Sequence, residues 1–336
     1  MAILRRFGLA AFVSIVATLG VGETAFADPA GPTDYESEIL SIEPETESIE
    51  VAILGGDSFV QLIASPGTEV LVDGYRAEPY LWFRSDGTVL ENRNSPTTYL
   101  NEERYGSDEP PAFATADAEP DWEQVASNGR YAWHDHRAHW MQPIRPAGKG
   151  PGDRIVEAVI PIVVDGGDVS ITVASTWLPE PSPVPLGIGI TAGLAAATVG
   201  GWLAMRRSRW TTVTVPLAVV AAGVGIVQFR SLPSETDPRL VWWALPVIAA
   251  VAAAVAVSLW ARDRFIASAA ALIAGVQLAI WGWIKRDGWT AAIIPTDAPG
   301  WLDRATVAAA IVGGTAITAI ALWQLFFPPR EPNQAG

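Results

Sequence analysis

Two patterns of apolar residues divide the chain at about residue 185. Before it, short runs rich in β-branched and aromatic residues are separated by Gly, Pro and Asp about every ten residues, which is typical of an antiparallel sandwich. After it, five apolar runs each come near the roughly 20 residues that a helix needs to cross a bilayer. We predict five transmembrane helices within residues 186–327, at 186–205, 211–229, 240–260, 265–284 and 305–327.

The strand pattern begins at Ile49. Runs at 49–54, 58–63, 68–72 and 79–83 each end in a turn signal. Two later alternating runs flank Asp165-Gly-Gly-Asp168, which predicts a hairpin just before the membrane part. The fold class that we predict is an all-β domain over residues 49–180, an Ig-like or cupredoxin-like antiparallel sandwich of about seven to nine strands, followed by an α-helical five-span membrane bundle.

Shorter segments complete the predicted organisation. Residues 1–27 have the basic start, apolar stretch and Ala25-Phe-Ala27 cleavage pattern of a signal peptide. Residues 28–48 are expected to be an acidic lead-in, 181–185 a Pro-rich junction and 328–336 a cytoplasmic tail. Export would place the N-terminal domain outside a multi-pass protein of the cell membrane and the C-terminus in the cytoplasm. Arg206-Arg-Ser-Arg209 would then lie inside, as the positive-inside rule expects.

Charge is divided in the same way as hydrophobicity. Residues 28–182 hold 28 of the 36 acidic residues and 9 of the 22 basic ones, a local net charge of −19. Such a domain repels nucleic acid and attracts cations or basic partners. We therefore expect an envelope protein as a partner and no nucleic acid, while the apolar spans make the lipid bilayer a second partner. The predicted spans contain no Asp, Glu, Lys, Arg or His, which favours an anchor over a transporter or channel.

All three histidines of the chain, His134, His136 and His139, lie in the stretch YAWHDHRAHWM at 131–141. If 131–137 is a strand, His134 and His136 point outward from one face, about 7 Å apart along the backbone. Tyr131 and Trp133 then point to the opposite face, towards the core. Two imidazoles placed in this way can converge on one metal ion.

The third histidine has the wrong parity to join the other two on a regular strand. His139 would converge with them only if the strand ends or bulges near Arg137. On a helix, by contrast, Asp135, His136 and His139 would share a face and His134 would be excluded. The position of the turn therefore decides which side chains can meet.

The predicted metal ligands are His134, His136, His139, Asp135 and Met141. Imidazole suits both copper and zinc, and the chain has no cysteine to offer a thiolate. Asp135 could be an oxygen ligand or orient a ring, and Met141 is a soft donor suited to copper. Two alternatives stay open: a structural polar network among carboxylates and Trp rings, and a pH-responsive patch.

Catalytic signals are weak by comparison. The sequence contains no G-x-S-x-G, H-E-x-x-H or phosphate-loop pattern. We therefore predict no catalytic residues and favour a binding protein over an enzyme, with a metal-dependent hydrolase as a third alternative. The first hypothesis is an extracytoplasmic protein that binds copper or zinc. The second is an interaction or structural module whose acidic segment 92–121 engages another envelope component.

Several short patterns in the N-terminal half recur together, namely Gly74-Tyr75, Glu78-Pro-Tyr-Leu81, Glu91-Asn-Arg-Asn-Ser-Pro96, Tyr99-Leu-Asn101 and Trp133-His-Asp-His-Arg-Ala-His-Trp-Met141. This set resembles a group of exported, membrane-anchored actinobacterial proteins, which implies the same architecture and an envelope location. Copper carriers of the CopC type, small exported β-sandwiches with histidine ligands, are similar more loosely. The chain departs from them at its expected mature end, Asp28, where they have a ligand histidine.

Overall fold

A computed structural model describes residues 29–105 and 109–327 of the chain. The predicted signal peptide, residues 1–27, and the predicted tail, residues 328–336, lie outside the described residues. The described chain has ten antiparallel strands followed by five long apolar helices, so the predicted fold class is confirmed. The strands are β1 Tyr35–Glu43, β2 Ile49–Leu54, β3 Phe59–Ala64, β4 Val70–Asp73, β5 Pro79–Phe83, β6 Val89–Asn92, β7 Trp122–Ala126, β8 Arg130–Trp133, β9 Arg154–Val164 and β10 Gly167–Trp177.

The first strand corrects the prediction of a mere lead-in at residues 28–48. Tyr35–Glu43 forms β1, which pairs with β10 along most of its length. Ile39 and Ile42 on this strand pack against the core of the domain. The acidic residues that made the segment look like a lead-in alternate with these apolar residues, as they do on a half-buried strand.

The ten strands form two sheets. Seven are hydrogen-bonded in the order β1-β10-β9-β4-β5-β6-β7, and three in the order β2-β3-β8. The sheets bury one core between them, in which Leu62, Phe83 and Ile160 are among the fully buried side chains. The predicted hairpin at Asp165-Gly-Gly-Asp168 joins β9 to β10, where Asp165 and Gly166 have positive φ angles.

The helices follow the predicted spans closely. A short helix, α1 Pro96–Leu100, lies in the β-domain (residues 29–180), and the helical bundle (residues 184–327) contains α2 Val184–Met205, α3 Thr214–Arg230, α4 Val241–Leu259, α5 Arg264–Lys285 and α6 Gly300–Phe326. Each of α2 to α6 belongs to a segment long and apolar enough to cross a membrane. The largest difference from prediction is in α6, which begins at Gly300 and therefore includes Asp303 and Arg304.

Glycines allow the bundle helices to approach closely. A Cβ added to Gly189 on α2 would lie 2.1 Å from the carbonyl oxygen of Ala305 on α6, and one added to Gly225 on α3 would lie 2.0 Å from that of Trp242 on α4. By contrast, Gly187 on α2 has nothing within 4 Å of its added Cβ. Packing in lipid depends on such close approaches because burial of apolar surface adds little there.

Because α6 begins earlier than predicted, the bundle contains a buried ion pair. Lys285, at the end of α5, donates to Asp303, and both side chains are almost completely buried. Arg304 beside them donates to the carbonyls of Gly288, Ala291 and Ala292. These charged residues lie just outside the predicted spans 265–284 and 305–327 but within the helices, where they fix the loop between α5 and α6.

That loop holds the β-domain against the bundle. Thr33 and Ile293 exchange two backbone hydrogen bonds of 3.1 and 2.9 Å, and the amide of Ala292 donates to Asp34. Leu232 in the loop between α3 and α4, together with Trp242 at the start of α4, makes a second contact by forming an apolar cluster with Phe59 and Ala132. The bundle therefore covers part of the second face of the three-stranded sheet.

Candidate functional site

The histidine loop, residues 134–141, begins where β8 ends. Pairing of β8 with β3 stops at Trp133, so the predicted strand as far as Arg137 is too long by four residues. The carbonyl of Asp135 then accepts a hydrogen bond of 2.9 Å from the amide of Ala138, which closes a turn. The break on which the convergence of His139 depended is therefore present, as a turn over residues 135–138, and it returns His139 towards the other two histidines.

The side-chain parity agrees with prediction, but the outward direction does not. Trp133 and Tyr131 pack against the core between the sheets, as expected. His134 points to the opposite face, yet it is buried, and its ring lies 4.3 Å from the Phe59 ring. The reason is that Phe59 belongs to the cluster formed with the membrane loops. The face that was expected to meet solvent meets the bundle instead.

Asp135 is committed to other protein groups. Its carboxylate accepts two hydrogen bonds of 2.8 Å from the Arg137 guanidinium and one of 3.0 Å from the Trp133 indole. The backbone amide of Arg137 donates a fourth, of 3.0 Å. Although burial raises it, the pKa of Asp135 is lowered overall, because Arg137 and these hydrogen bonds stabilise the charged form. Such a carboxylate has little capacity left to bind a metal ion.

The three histidine rings nevertheless lie together. The His139 ring centroid is 5.5 Å from that of His136 and 6.3 Å from that of His134, both nearly edge to face. His139 is buried and His136 is half-buried. Two imidazoles on one zinc ion, at about 2.1 Å each, would have centroids roughly 5–6 Å apart. The spacing of His136 and His139 is therefore compatible with a shared ion.

Backbone carbonyls fix the protons of two of these rings. His139 Nδ1 lies 3.0 Å from the Trp140 carbonyl, and His136 Nε2 lies 3.0 Å from the Glu103 carbonyl. Since a carbonyl can only accept, each of these nitrogens carries the proton and the other nitrogen of each neutral ring carries the lone pair. His139 Nε2 is buried, and no described atom is in hydrogen-bonding contact with it.

Both rings favour the neutral state. Burial, followed by the nearby Arg104 charge, lowers the pKa of His139 to about 3. Burial also lowers the pKa of His136, although the Glu103 carbonyl opposes the change. This environment does not favour a pH-responsive patch at these two residues, because burial disfavours the protonated form of both rings.

A polar network outside the histidine loop holds it in place. The hydroxyl of Tyr75 donates to Asn101 and accepts the amide of His136, while its ring stacks on the His136 ring at 5.7 Å. Ser37 on β1 donates a hydrogen bond of 2.6 Å to the carbonyl of Ala138. Tyr75 and Asn101 fall within the patterns that carried the resemblance, whereas nothing in the sequence points to Ser37.

A second ion pair lies beside this network. Arg104 donates to the buried Asp57, which also accepts from the hydroxyl of Thr33. Burial raises the pKa of Asp57, and Arg104 opposes that effect by favouring the charged form. Sequence patterns do not single out Asp57 or Arg104, because the two residues are 47 positions apart.

The expected ligand set is thus only partly assembled. His134, His136 and His139 meet, Asp135 is held by Arg137, and Met141 is half-buried two residues beyond His139. In the described part of the chain, no group of three His, Cys, Asp or Glu side chains is arranged to hold a metal ion. The geometry favours a buried polar network and leaves a pair of imidazoles, those of His136 and His139, as the remaining metal donors.

A different feature is exposed on the β-domain. The Phe113 loop, residues 109–121, carries four exposed carboxylates and no basic residue. Phe113 is 59% exposed, and its ring meets the Tyr99 ring edge to face at 6.0 Å. Asn94 donates to the carbonyl of Glu119 and the amide of Arg93 to that of Asp121, which fixes the end of the loop.

Comparisons with family models, curated proteins and solved structures return no match for this chain. The resemblance to exported actinobacterial proteins stays a prediction. Function must therefore be argued from the histidine loop and the Phe113 loop themselves.

Proposed function

We propose that the chain is a membrane-anchored module that displays its β-domain on the extracytoplasmic side of the cell membrane and binds a basic envelope protein through the Phe113 loop. The observation that carries this proposal is Phe113, a large aromatic side chain that is 59% exposed amid four carboxylates. Aromatic residues dominate the binding energy of many interfaces, because they bury a large area at low entropic cost.

Charge supports the choice of a basic partner. Glu109, Asp117, Glu119 and Asp121 are all exposed, and they belong to a domain with a strong negative charge. A field of one sign accelerates encounter with a partner of the opposite sign and excludes partners of the same sign. Hydrogen bonds from Arg93 and Asn94, just after β6, hold residues 119 and 121 in place. The end of the loop is therefore already ordered, which reduces the entropy lost on binding.

In this proposal the histidine loop has a structural role. His134 packs on Phe59, His136 stacks on Tyr75, and Asp135 is bound by Arg137. These contacts join the end of β8 to Phe59, which packs against the bundle, and to Tyr75 in the turn between β4 and β5. The bundle is then an anchor that also fixes the orientation of the domain.

Photo-crosslinking of the full chain in its native envelope tests the proposal. We expect a photoreactive phenylalanine analogue at position 113 to yield one protein adduct. Replacing Asp117 and Glu119 by Lys in the same chain should reduce that adduct at least tenfold, because the charges are reversed. The matched control places the analogue at Ile144, which is 69% exposed but outside the loop. The same adducts from positions 113 and 144 would contradict the proposal.

A second candidate function is the binding of copper or zinc by His136 and His139. One observation favours it: each ring donates to a backbone carbonyl, the arrangement that commonly orients metal-binding histidines, and His139 Nε2 has its lone pair in a buried site. Arg104, which lowers the pKa of both rings, also disfavours a bound cation.

Calorimetric titration of the full chain in detergent with Zn(II) and with Cu(II) tests this candidate. If His136 and His139 form a metal site, about one equivalent of metal ion should bind the wild type. A His136→Ala/His139→Ala variant should bind none. Met141→Leu is the control and should keep zinc binding. Absence of saturable heat with either ion in the wild type would rule the candidate out.

A further inference from the structure

A polar cavity of about 230 Å³ lies where the β-domain meets the helical bundle. Four chain segments line it: residues 32–35 before and at the start of β1, residues 104–105, residues 142, 143 and 145 just after the histidine loop, and residues 290–291 in the loop between α5 and α6. Because the last of these segments belongs to the bundle, the cavity exists only when the two parts are docked. It is separate from both the histidine rings and the Phe113 loop.

The lining of the cavity supplies cationic hydrogen-bond donors suited to an anion. It contains two guanidinium groups, Arg104 and Arg145, and one carboxylate, Asp34. Tyr35 and Tyr105 also line it. Guanidinium groups present several N–H donors in a planar fork that matches the oxygens of phosphate and carboxylate groups.

Both arginines keep donors for a ligand. Arg104 binds Asp57 through Nη2 and is also hydrogen-bonded to Tyr105, and its remaining guanidinium N–H groups belong to a side chain that is 16% exposed. Arg145 lies 3.5 Å from both Asp34 and Glu180, and its side chain is 60% exposed. These distances exceed the roughly 2.7–2.9 Å of a strong charge-assisted hydrogen bond, so an incoming anion can replace them at small cost.

The position of the cavity along the bundle matches the headgroup layer of a bilayer. The span Arg264–Trp289 has 26 residues, and at about 1.5 Å per residue it is about 39 Å long. A bilayer including its headgroups is about 40–45 Å thick. Thr290, the next residue, lines the cavity and therefore lies near the headgroups on the membrane face that carries the β-domain.

We propose that this junction cavity binds a phosphate group at the membrane surface, with Arg145 as its principal exchangeable ligand. The phosphate can belong to the headgroup of an anionic phospholipid or to a soluble phosphate, since both present the same oxygens. Bound phosphate contacts segments from both parts of the chain and so stabilises their docking.

The test uses the full chain, delipidated in a maltoside detergent, and three probes: inorganic phosphate, short-chain phosphatidylglycerol, and a diacylglycerol of the same chain length. We expect calorimetric titration to detect binding of at least one phosphate-bearing probe and none of the diacylglycerol. Arg145→Gln should weaken that binding at least tenfold. Arg145 is the residue of choice because it is exposed, whereas loss of Arg104 would leave Asp57 buried without its cation.

Arg154→Gln is the matched control, since Arg154 is an exposed arginine that pairs with Glu157 outside the cavity. It should bind the probe as tightly as the wild type. Binding of inorganic phosphate alone assigns the site to a soluble anion, and binding of phosphatidylglycerol alone assigns it to a lipid headgroup. Binding of neither probe by the wild type, or equal binding by Arg145→Gln, overturns the proposal.

Discussion

The sharpest stability prediction concerns the ion pair that closes the histidine loop. Arg137→Gln removes two hydrogen bonds of 2.8 Å from the Asp135 carboxylate, whose side chain is fully buried, while Arg137 itself is 15% exposed. Trp133 and one backbone amide remain as donors, but no cation remains in contact. Removing one partner of a buried pair costs about 3–5 kcal/mol, because the other charge stays buried without compensation.

The assay is differential scanning calorimetry of the full chain in detergent at pH 7. For a folding unit of about 150 residues, 1 kcal/mol corresponds to roughly 2–4 °C, so we expect Arg137→Gln to lower the Tm of the β-domain by about 6–20 °C. Arg154→Gln removes an equally charged but exposed partner of Glu157 and should shift the Tm by about 4 °C at most.

A double variant separates the ion pair from other effects of the substitution. In Asp135→Asn/Arg137→Gln the buried charge is gone, so the two substitutions together should cost less than their sum, by about 1–3 kcal/mol. The reasoning is refuted if Arg137→Gln melts no lower than Arg154→Gln, or if the two losses at positions 135 and 137 are simply additive.

Three further predictions concern other parts of the molecule. Burial raises the pKa of Glu91 to about 7, so folding favours its neutral form; relative to Glu91→Gln, the wild type should lose on the order of 3 kcal/mol of stability as the pH rises from 4.5 to 8, measured by denaturant unfolding at several pH values. Gly189→Ala should make the detergent-solubilised bundle aggregate on size-exclusion chromatography, because the new Cβ meets a backbone carbonyl, whereas Gly187→Ala on the same helix should not. Lys285→Met should lower the Tm as Arg137→Gln does, and addition of Asp303→Leu should restore most of the loss.

Much of the fold follows from the periodicity of the sequence. Four of the five long helices begin and end within about three residues of the predicted spans, because a membrane helix must satisfy its own backbone in a run of apolar residues. Helix α6 differs because Asp303 and Arg304 lie near its start, where Asp303 pairs with Lys285 and Arg304 donates to backbone carbonyls of the preceding loop. Strand β1 was not predicted because acidic residues on its exposed face make the segment look polar, although Ile39 and Ile42 pack against the core.

The histidine site shows what local sequence can and cannot predict. Strand parity correctly predicted that Trp133 faces the core and that His134 points away from it. A turn near Arg137 was the condition for His139 to join the other histidines, and that turn is present. The burial of His134 was not predicted, because it depends on Phe59 and on a membrane loop almost 100 residues further along the chain. Asp135 differs, because its partners Arg137 and Trp133 are each only two positions away in the sequence and would share its face on a strand.

One measurement tests the central claim, that the histidines hold the fold and are not needed to hold a metal. It compares the Tm of the full chain and of a His139→Leu variant, each with a chelator and with saturating Zn(II) or Cu(II). If His139 has a structural role, we expect His139→Leu to melt at a lower temperature than the wild type and neither ion to shift the wild-type Tm. A wild-type Tm that rises with metal, together with no rise in His139→Leu, would contradict the claim and establish the metal site instead.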